Sequence, residues 1–201
     1  SVLSITLSEA QLVLARERAI EAGVAERIEF ALCDYRDLTP AMHGQFDAVI
    51  SCEMYEAVGE EWWQPYFNKV TEMLKPNGRF AFQGITIAAG RFDAYRQSSD
   101  FIRAYVFPGG VLAPWENLQA LATTAGLALP NGEAIWWGAA DYDQTLGAWA
   151  KAVKNHHEAI IAQYDLRFYH LWEYYLAACQ AVFRLEATNV VRLAWVKSEI
   201  Q

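Results

Sequence analysis

At 201 residues, with 54% hydrophobic and 14% aromatic content, the chain has enough apolar material for one domain with a sizeable core, which excludes disorder. A formal charge of -8, with 16 dispersed Lys and Arg, excludes a general nucleic-acid binder, which needs clustered cations for phosphates. Three widely separated cysteines, Cys33, Cys52 and Cys179, fit neither a disulfide framework nor zinc-ligand spacing and point to a reducing, cytoplasmic compartment.

The chain opens on an apolar strand, Val2-Leu3-Ser4-Ile5-Thr6, that reads as already under way, as if it were the later part of something longer. Ser8-Glu9-Ala10-Gln11 fits a capping box, so a helix to about Ala22 is expected, stopped by Gly23. A second strand is expected at 28–32 and a third at 46–51. A helix over 60–74, ended by Pro76-Asn77-Gly78, then leads to a fourth strand at 79–85. This alternation is the pattern of parallel βαβ units.

Beyond it, 91–105 reads as a helix broken by Pro108-Gly109-Gly110, and 115–125 as another before Gly126. Strands near 133–137 and at 190–197 are expected to pair antiparallel, with two long helices between them. On the second of these, Tyr164, Phe168, Leu171, Trp172, Tyr175, Leu176, Cys179, Val182 and Phe183 form one broad apolar face, suited to core packing or to lining an acyl-chain groove. No apolar run reaches the ~18 residues of a membrane span, so a soluble chain is expected, with peripheral contact on the inner face of a membrane left open.

The chemistry is expected at the strand ends, where open α/β sheets keep their ligands. The third strand runs into Ser51-Cys52-Glu53-Met54-Tyr55-Glu56 and so delivers two carboxylates, while the fourth ends on the amide of Gln83. Glu53 reads either as part of a cofactor's surroundings or, slightly preferred, as a strand end. Cys52 reads as a small core residue. His156 and His157 read as a solvated helix face, and Arg96 and Asp100, four apart, as an ion pair.

Five segments occur here in the order seen in cyclopropane-fatty-acyl-phospholipid synthases and the related mycolic acid cyclopropane synthases. They are Thr6-Leu7-Ser8-Glu9-Ala10-Gln11, Asp34-Tyr35-Arg36-Asp37, Glu53-Met54-Tyr55-Glu56-Ala57-Val58-Gly59, the run from Asp100 to Gly110, and Asp141-Tyr142-Asp143-Gln144-Thr145-Leu146. Over nearly all its length the chain resembles the C-terminal two-thirds of that catalytic domain, and residues 1–201 are read as one domain. The resemblance implies an α/β, Rossmann-like class I methyltransferase sheet with helices on both faces, using S-adenosylmethionine. It implies C-methylation of the cis double bond in unsaturated phospholipid acyl chains, through a carbocation that loses a proton on ring closure.

By residue match, Thr6, Leu7 and Gln11 would meet the ribose and adenosine, and Asp34 with Tyr35 the adenine. For Gln11 and Asp34, helix capping and turn closure are the plain alternatives. The family's base is a bound bicarbonate. Glu56 would accept its proton, while Tyr142 and the amide of Ile85 would donate to it. Gln83 stands where well-known members have histidine; an amide can donate but cannot relay a proton, so a methyl branch or exocyclic methylene competes with the cyclopropane as product. The family's Gly-rich loop and its strand are not found before Val2. That strand would lie between those starting at Val2 and Phe46, so two unpaired edges and an inactive isolated chain are expected. A non-catalytic lipid-binding remnant and a small-molecule methyltransferase are the rival readings.

Overall fold

The computed structural model describes residues 1–130 and 135–198. In chain order the elements are β1 (Val2–Thr6), α1 (Glu9–Glu21), β2 (Ile28–Leu32), β3 (Phe46–Cys52), α2 (Trp63–Met73), β4 (Leu74–Ile87), α3 (Phe92–Gln97), α4 (Phe101–Tyr105), α5 (Trp115–Thr124), β5 (Leu127–Ala128), β6 (Trp136–Trp137), α6 (Ala139–Asn155), α7 (His157–Gln163), α8 (Leu166–Arg184) and β7 (Thr188–Lys197). Two sheets result: β1 and β2 pair parallel, and a second sheet has the order β3-β4-β7-β5, with β6 also on β7. In the second sheet β3 and β4 are parallel, while β7 runs antiparallel to β4, β5 and β6.

The main sheet is covered on both faces because β4 and β7 alternate. Phe80 and Phe82 of β4, with Leu193 and Trp195 of β7, point to the cluster shared with Phe67 and Val70 of α2 and Leu118 of α5. Their neighbours Ile85 and Val190 point the other way, to Leu146 of α6 and Leu176 and Phe183 of α8. Of the apolar face expected on α8, Leu176 and Phe183 are buried, Trp172, Tyr175 and Cys179 are half-buried, and Tyr164 is exposed just before the helix.

Several expected elements are redrawn. Ser8 caps α1, its hydroxyl accepting the Gln11 amide at 3.3 Å, but the Gln11 side chain does not reach back. The Thr6 hydroxyl takes the Ser8 amide at 3.1 Å and donates to Gln11 Oε1 at 2.7 Å, which replaces the second half of the box. β4 starts at Leu74 and passes through Pro76-Asn77-Gly78 by an irregularity in register, with Asn77 at φ 62°. The helix expected over 91–105 splits into α3 and α4, because Asp100 leaves the helix to cap Arg103 N at 2.9 Å. The closing pair exists as β6 on β7; residues 133 and 134 of its expected first strand lie outside the described residues.

Among the described residues β1 and β3 each keep one edge without a strand neighbour, as expected from the motif order. Both border one cleft, and Ile50 of β3 is 80% exposed there. Helix α2 ties the two sheets together. Tyr66 meets the Tyr35 ring edge-on at 5.6 Å and donates to the Ser51 hydroxyl at 2.6 Å, and Lys69 Nζ reaches the carbonyl of Leu38 at 3.2 Å.

Trp195 is the centre of the larger cluster, with the rings of Phe67, Phe80, Phe82 and Trp115 within 6.1 Å of it, centroid to centroid. Trp195→Ala is expected to cost about 3–5 kcal/mol, read as a lower denaturant midpoint with an unchanged slope.

Candidate active site

β3 and β4 end side by side with Cys52 opposite Gln83, and the Glu53 amide donates to the Gln83 carbonyl at 2.8 Å. Glu53 then turns into the left-handed region, φ 51°, uncommon for a residue with a Cβ, and a 3-10 turn at Tyr55–Ala57 follows. The buried Tyr55 lies across β4, its hydroxyl donating to the Ile85 carbonyl and accepting the Ala113 amide at 3.1 Å. Gly84 makes room for it: a Cβ there would sit 2.4 Å from the Phe82 ring and 2.8 Å from the Tyr55 ring.

Two carboxylates leave this turn in different directions. Glu53 Oε1 accepts both the Gln83 amide nitrogen, at 2.7 Å, and the Tyr142 hydroxyl. Glu56 Oε1 accepts the backbone amide of Ile85 at 2.6 Å, while its Oε2 is buried with no hydrogen-bond partner. Burial is the main cause that lifts the Glu56 pKa to about 8; the Ile85 amide opposes it and the Glu53 charge adds to it. Tyr142, reaching in from α6 against Phe183 at 4.8 Å, has its hydroxyl pKa raised by burial and then by the Glu53 carboxylate. Glu56, Gln83, Ile85 and Tyr142, all singled out from the sequence, therefore share one site. Glu53, preferred as a plain strand end, is the group to which two of their donors turn.

The other set lines the cleft. Thr6, Leu7, Gln11, Asp34 and Tyr35 border it on the β1–β2 side, and Cys52, Glu53 and Met54 on the β3 side, around a volume of about 1750 Å³. Leu7 is 73% exposed, the Thr6 and Gln11 side chains are mutually bonded, and the Tyr35 hydroxyl is buried without a partner. An apolar surface, a hydroxyl–amide pair and an orphaned hydroxyl suit a nucleoside's ring and ribose. Asp34 also closes its turn: it accepts the Arg36 amide at 2.9 Å and pairs with the Arg36 guanidinium at 2.6 Å, which holds its carboxyl below the usual range.

Other expectations are corrected. Cys52 is exposed, because β3 has no strand on its cleft side. Arg96 pairs with Glu60 at 3.3 Å and Asp100 with Arg103 at 3.2 Å, since the break between α3 and α4 separates the expected partners. His156 and His157 are exposed, as a solvated face should be. No group of metal-ligating side chains occurs among the described residues, and none of their helices is long and apolar enough to cross a membrane.

The family model of mycolic acid cyclopropane synthetase matches residues 1–193. The chain belongs to this family. It is 35% identical over 185 residues to tuberculostearic acid methyltransferase UfaA1 of Mycobacterium tuberculosis, covering 91% of this chain and 42% of that protein. It is 33% identical over 184 residues to the cyclopropane-fatty-acyl-phospholipid synthase of Escherichia coli K12, covering 92% and 44%. The chain thus spans less than half the length of these two relatives. In fold it is similar to mycolic acid cyclopropane synthase CmaA1 complexed with SAH and CTAB, with a TM-score of 0.85 at 20% identity over 98% of this chain and 70% of that one. The Rossmann-like fold of the mycolic acid cyclopropane synthetase family is therefore present here, in two sheets.

The raised Glu56 pKa carries a stability prediction. The folded state holds this proton more tightly than the unfolded chain, whose ordinary value is 4.5, so the group's contribution is complete below pH 4.5 and is lost as pH rises through about 8. Denaturant unfolding from about pH 5 to about pH 9 should show a fall of order 3–5 kcal/mol in the native protein, largely absent in Glu56→Gln.

Proposed function

We propose that the protein carrying this chain is a C-methyltransferase that uses S-adenosylmethionine to alkylate the cis double bond of unsaturated phospholipid acyl chains. The observation that carries this reading is the convergence of Gln83 and Tyr142 on Glu53, with Glu56 on the same turn, where Glu53 borders a cleft whose opposite side bears Thr6, Leu7, Gln11, Asp34 and Tyr35. Membership of the family and the names of the relatives above support it.

S-adenosylmethionine would supply an electrophilic methyl group. Leu7 and Tyr35 would sandwich its nucleoside, the Thr6–Gln11 pair and Asp34 would meet its hydroxyls and amine, and the Glu53 carboxylate would favour cationic charge at the cleft edge. An isolated double bond is a weak nucleophile, so catalysis depends on positioning in a dry apolar setting. Phe101 of α4 meets Tyr174 of α8 at 4.5 Å and Phe107 meets Tyr175 at 6.1 Å, an aromatic surface, exposed at Tyr174 and Phe107, that a docked acyl chain would cover. Closing a cyclopropane or forming an exocyclic methylene each requires loss of one proton from the alkylated chain. The family resemblance assigns that proton to a bicarbonate held by Glu56, Gln83, Tyr142 and the Ile85 amide.

Methyl-labelled S-adenosylmethionine and unsaturated phospholipid vesicles, incubated with the intact protein, should yield fatty acids carrying label and one added carbon. Glu56→Gln should lower turnover while leaving S-adenosylhomocysteine affinity within about twofold; unlabelled lipid from the native protein would overturn the reading.

A further inference from the structure

Resting on that reading of the site, we infer that the Glu53 carboxylate is itself the proton acceptor of the reaction, in place of a bound bicarbonate.

The donors decide this. A bicarbonate here would need the Gln83 amide, the Tyr142 hydroxyl and the Ile85 backbone amide. In the structure the Tyr142 hydroxyl, the Ile85 amide and one N–H of Gln83 already have protein carboxylates as acceptors. Gln83 Nε2 and the Tyr142 hydroxyl both go to Glu53 Oε1, the first at 2.7 Å, and Ile85 N goes to Glu56 Oε1 at 2.6 Å. A glutamate side chain ends in the same planar O–C–O fork as bicarbonate, so two donors that would cradle the ion cradle the residue equally well. The backbone puts the fork there on purpose of geometry rather than convenience: Glu53 sits at φ 51°, a conformation that costs a side-chain-bearing residue about 1–2 kcal/mol. The change of direction at that residue carries its side chain off β3 towards β4 and α6, where Gln83 and Tyr142 stand.

Glu53 also borders the cleft, whereas Glu56 does not. Burial keeps Glu56 protonated near neutral pH, so it suits a structural or hydrogen-bonding part. A carboxylate is a sufficient base for this step. Once the methyl group has bonded to one alkene carbon, using the π electron pair, the neighbouring carbon is cationic. Glu53 Oε takes a proton from the new methyl group, and the C–H electron pair bonds to the cationic carbon and closes the ring; where a hydride first shifts from the methylated carbon to its neighbour, the same deprotonation forms the methylene. The proton then passes to water in the cleft. Gln83 and Tyr142 hold the carboxylate in line throughout, which gives Gln83 a task that needs no proton relay.

The test uses the intact protein in buffer stripped of carbon dioxide, with and without added bicarbonate. Native turnover should change less than about twofold on adding bicarbonate. Glu53→Gly, which suits the positive φ and leaves the fork's space empty, should lose about a hundredfold or more and recover in part with added bicarbonate or formate. Glu53→Gln, which fills the space with an amide, should lose as much and recover nothing. Native turnover that collapses on bicarbonate removal, or Glu53→Gly at full rate, would overturn the inference. Titration of carbon-13 bicarbonate gives a readout independent of turnover: binding to Glu53→Gly and none to the native protein is expected, and native binding overturns the inference even if the methyltransferase reading stands. Absence of lipid labelling by the native protein would instead count against the reading on which the inference rests.

Discussion

The hydroxyl of Tyr55 holds the site together. It is fully buried, it donates to the Ile85 carbonyl and it accepts the Ala113 amide, so one oxygen joins the turn after β3, the end of β4 and the segment before α5. A buried hydroxyl that lost these partners would cost about 1–3 kcal/mol, which makes the arrangement an all-or-none fixture. Glu53 lies two residues before Tyr55 and Glu56 directly after it, and the different aims of their carboxylates follow from the pinned ring between them. The space for that ring comes from Gly84, the only residue type that β4 can place there without a clash.

The pinned turn also separates two electrostatic environments. Glu56 is driven inward to a single backbone amide and a sequestered second oxygen, and its pKa rises to about 8. Glu53 stays at the cleft, supported by an amide and a phenol.

Much of the fold was legible because the apolar runs and their breakers were unambiguous. β1, β2 and β3 came out close to their observed limits, and the closing strand was expected where β7 lies. What failed were features decided by competition among local hydrogen bonds. Thr6 outcompeted the Ser8 amide's expected partner, Asp100 capped α4 and paired with Arg103 instead of Arg96, and β4 absorbed a proline by bulging. Cys52 was read as a small core residue for want of a group that would activate its thiol, whereas the edge of β3 without a neighbour leaves it exposed. Motif order named Glu56, Gln83, Ile85 and Tyr142, which the structure brings together, but not the contacts of Glu53. Those depend on a backbone angle and on a tyrosine 89 residues away along the chain, and neither is written in local pattern.

The splint formed by α2 has a thermodynamic corollary. Thr6, Leu7, Asp34 and Tyr35 border the cleft from the β1–β2 side and Glu53 from the other, so on the proposed reading a nucleoside touching both would report how well the sheets are seated. If seating is incomplete, the observed dissociation constant is the intrinsic one divided by the seated fraction. Tyr66 and Lys69 need touch no ligand to matter, because they set that fraction through Tyr35, Ser51 and Leu38. On the proposed function, affinity for the nucleoside would double as a gauge of helix docking, and a mutation on α2 would mimic the loss of a binding residue.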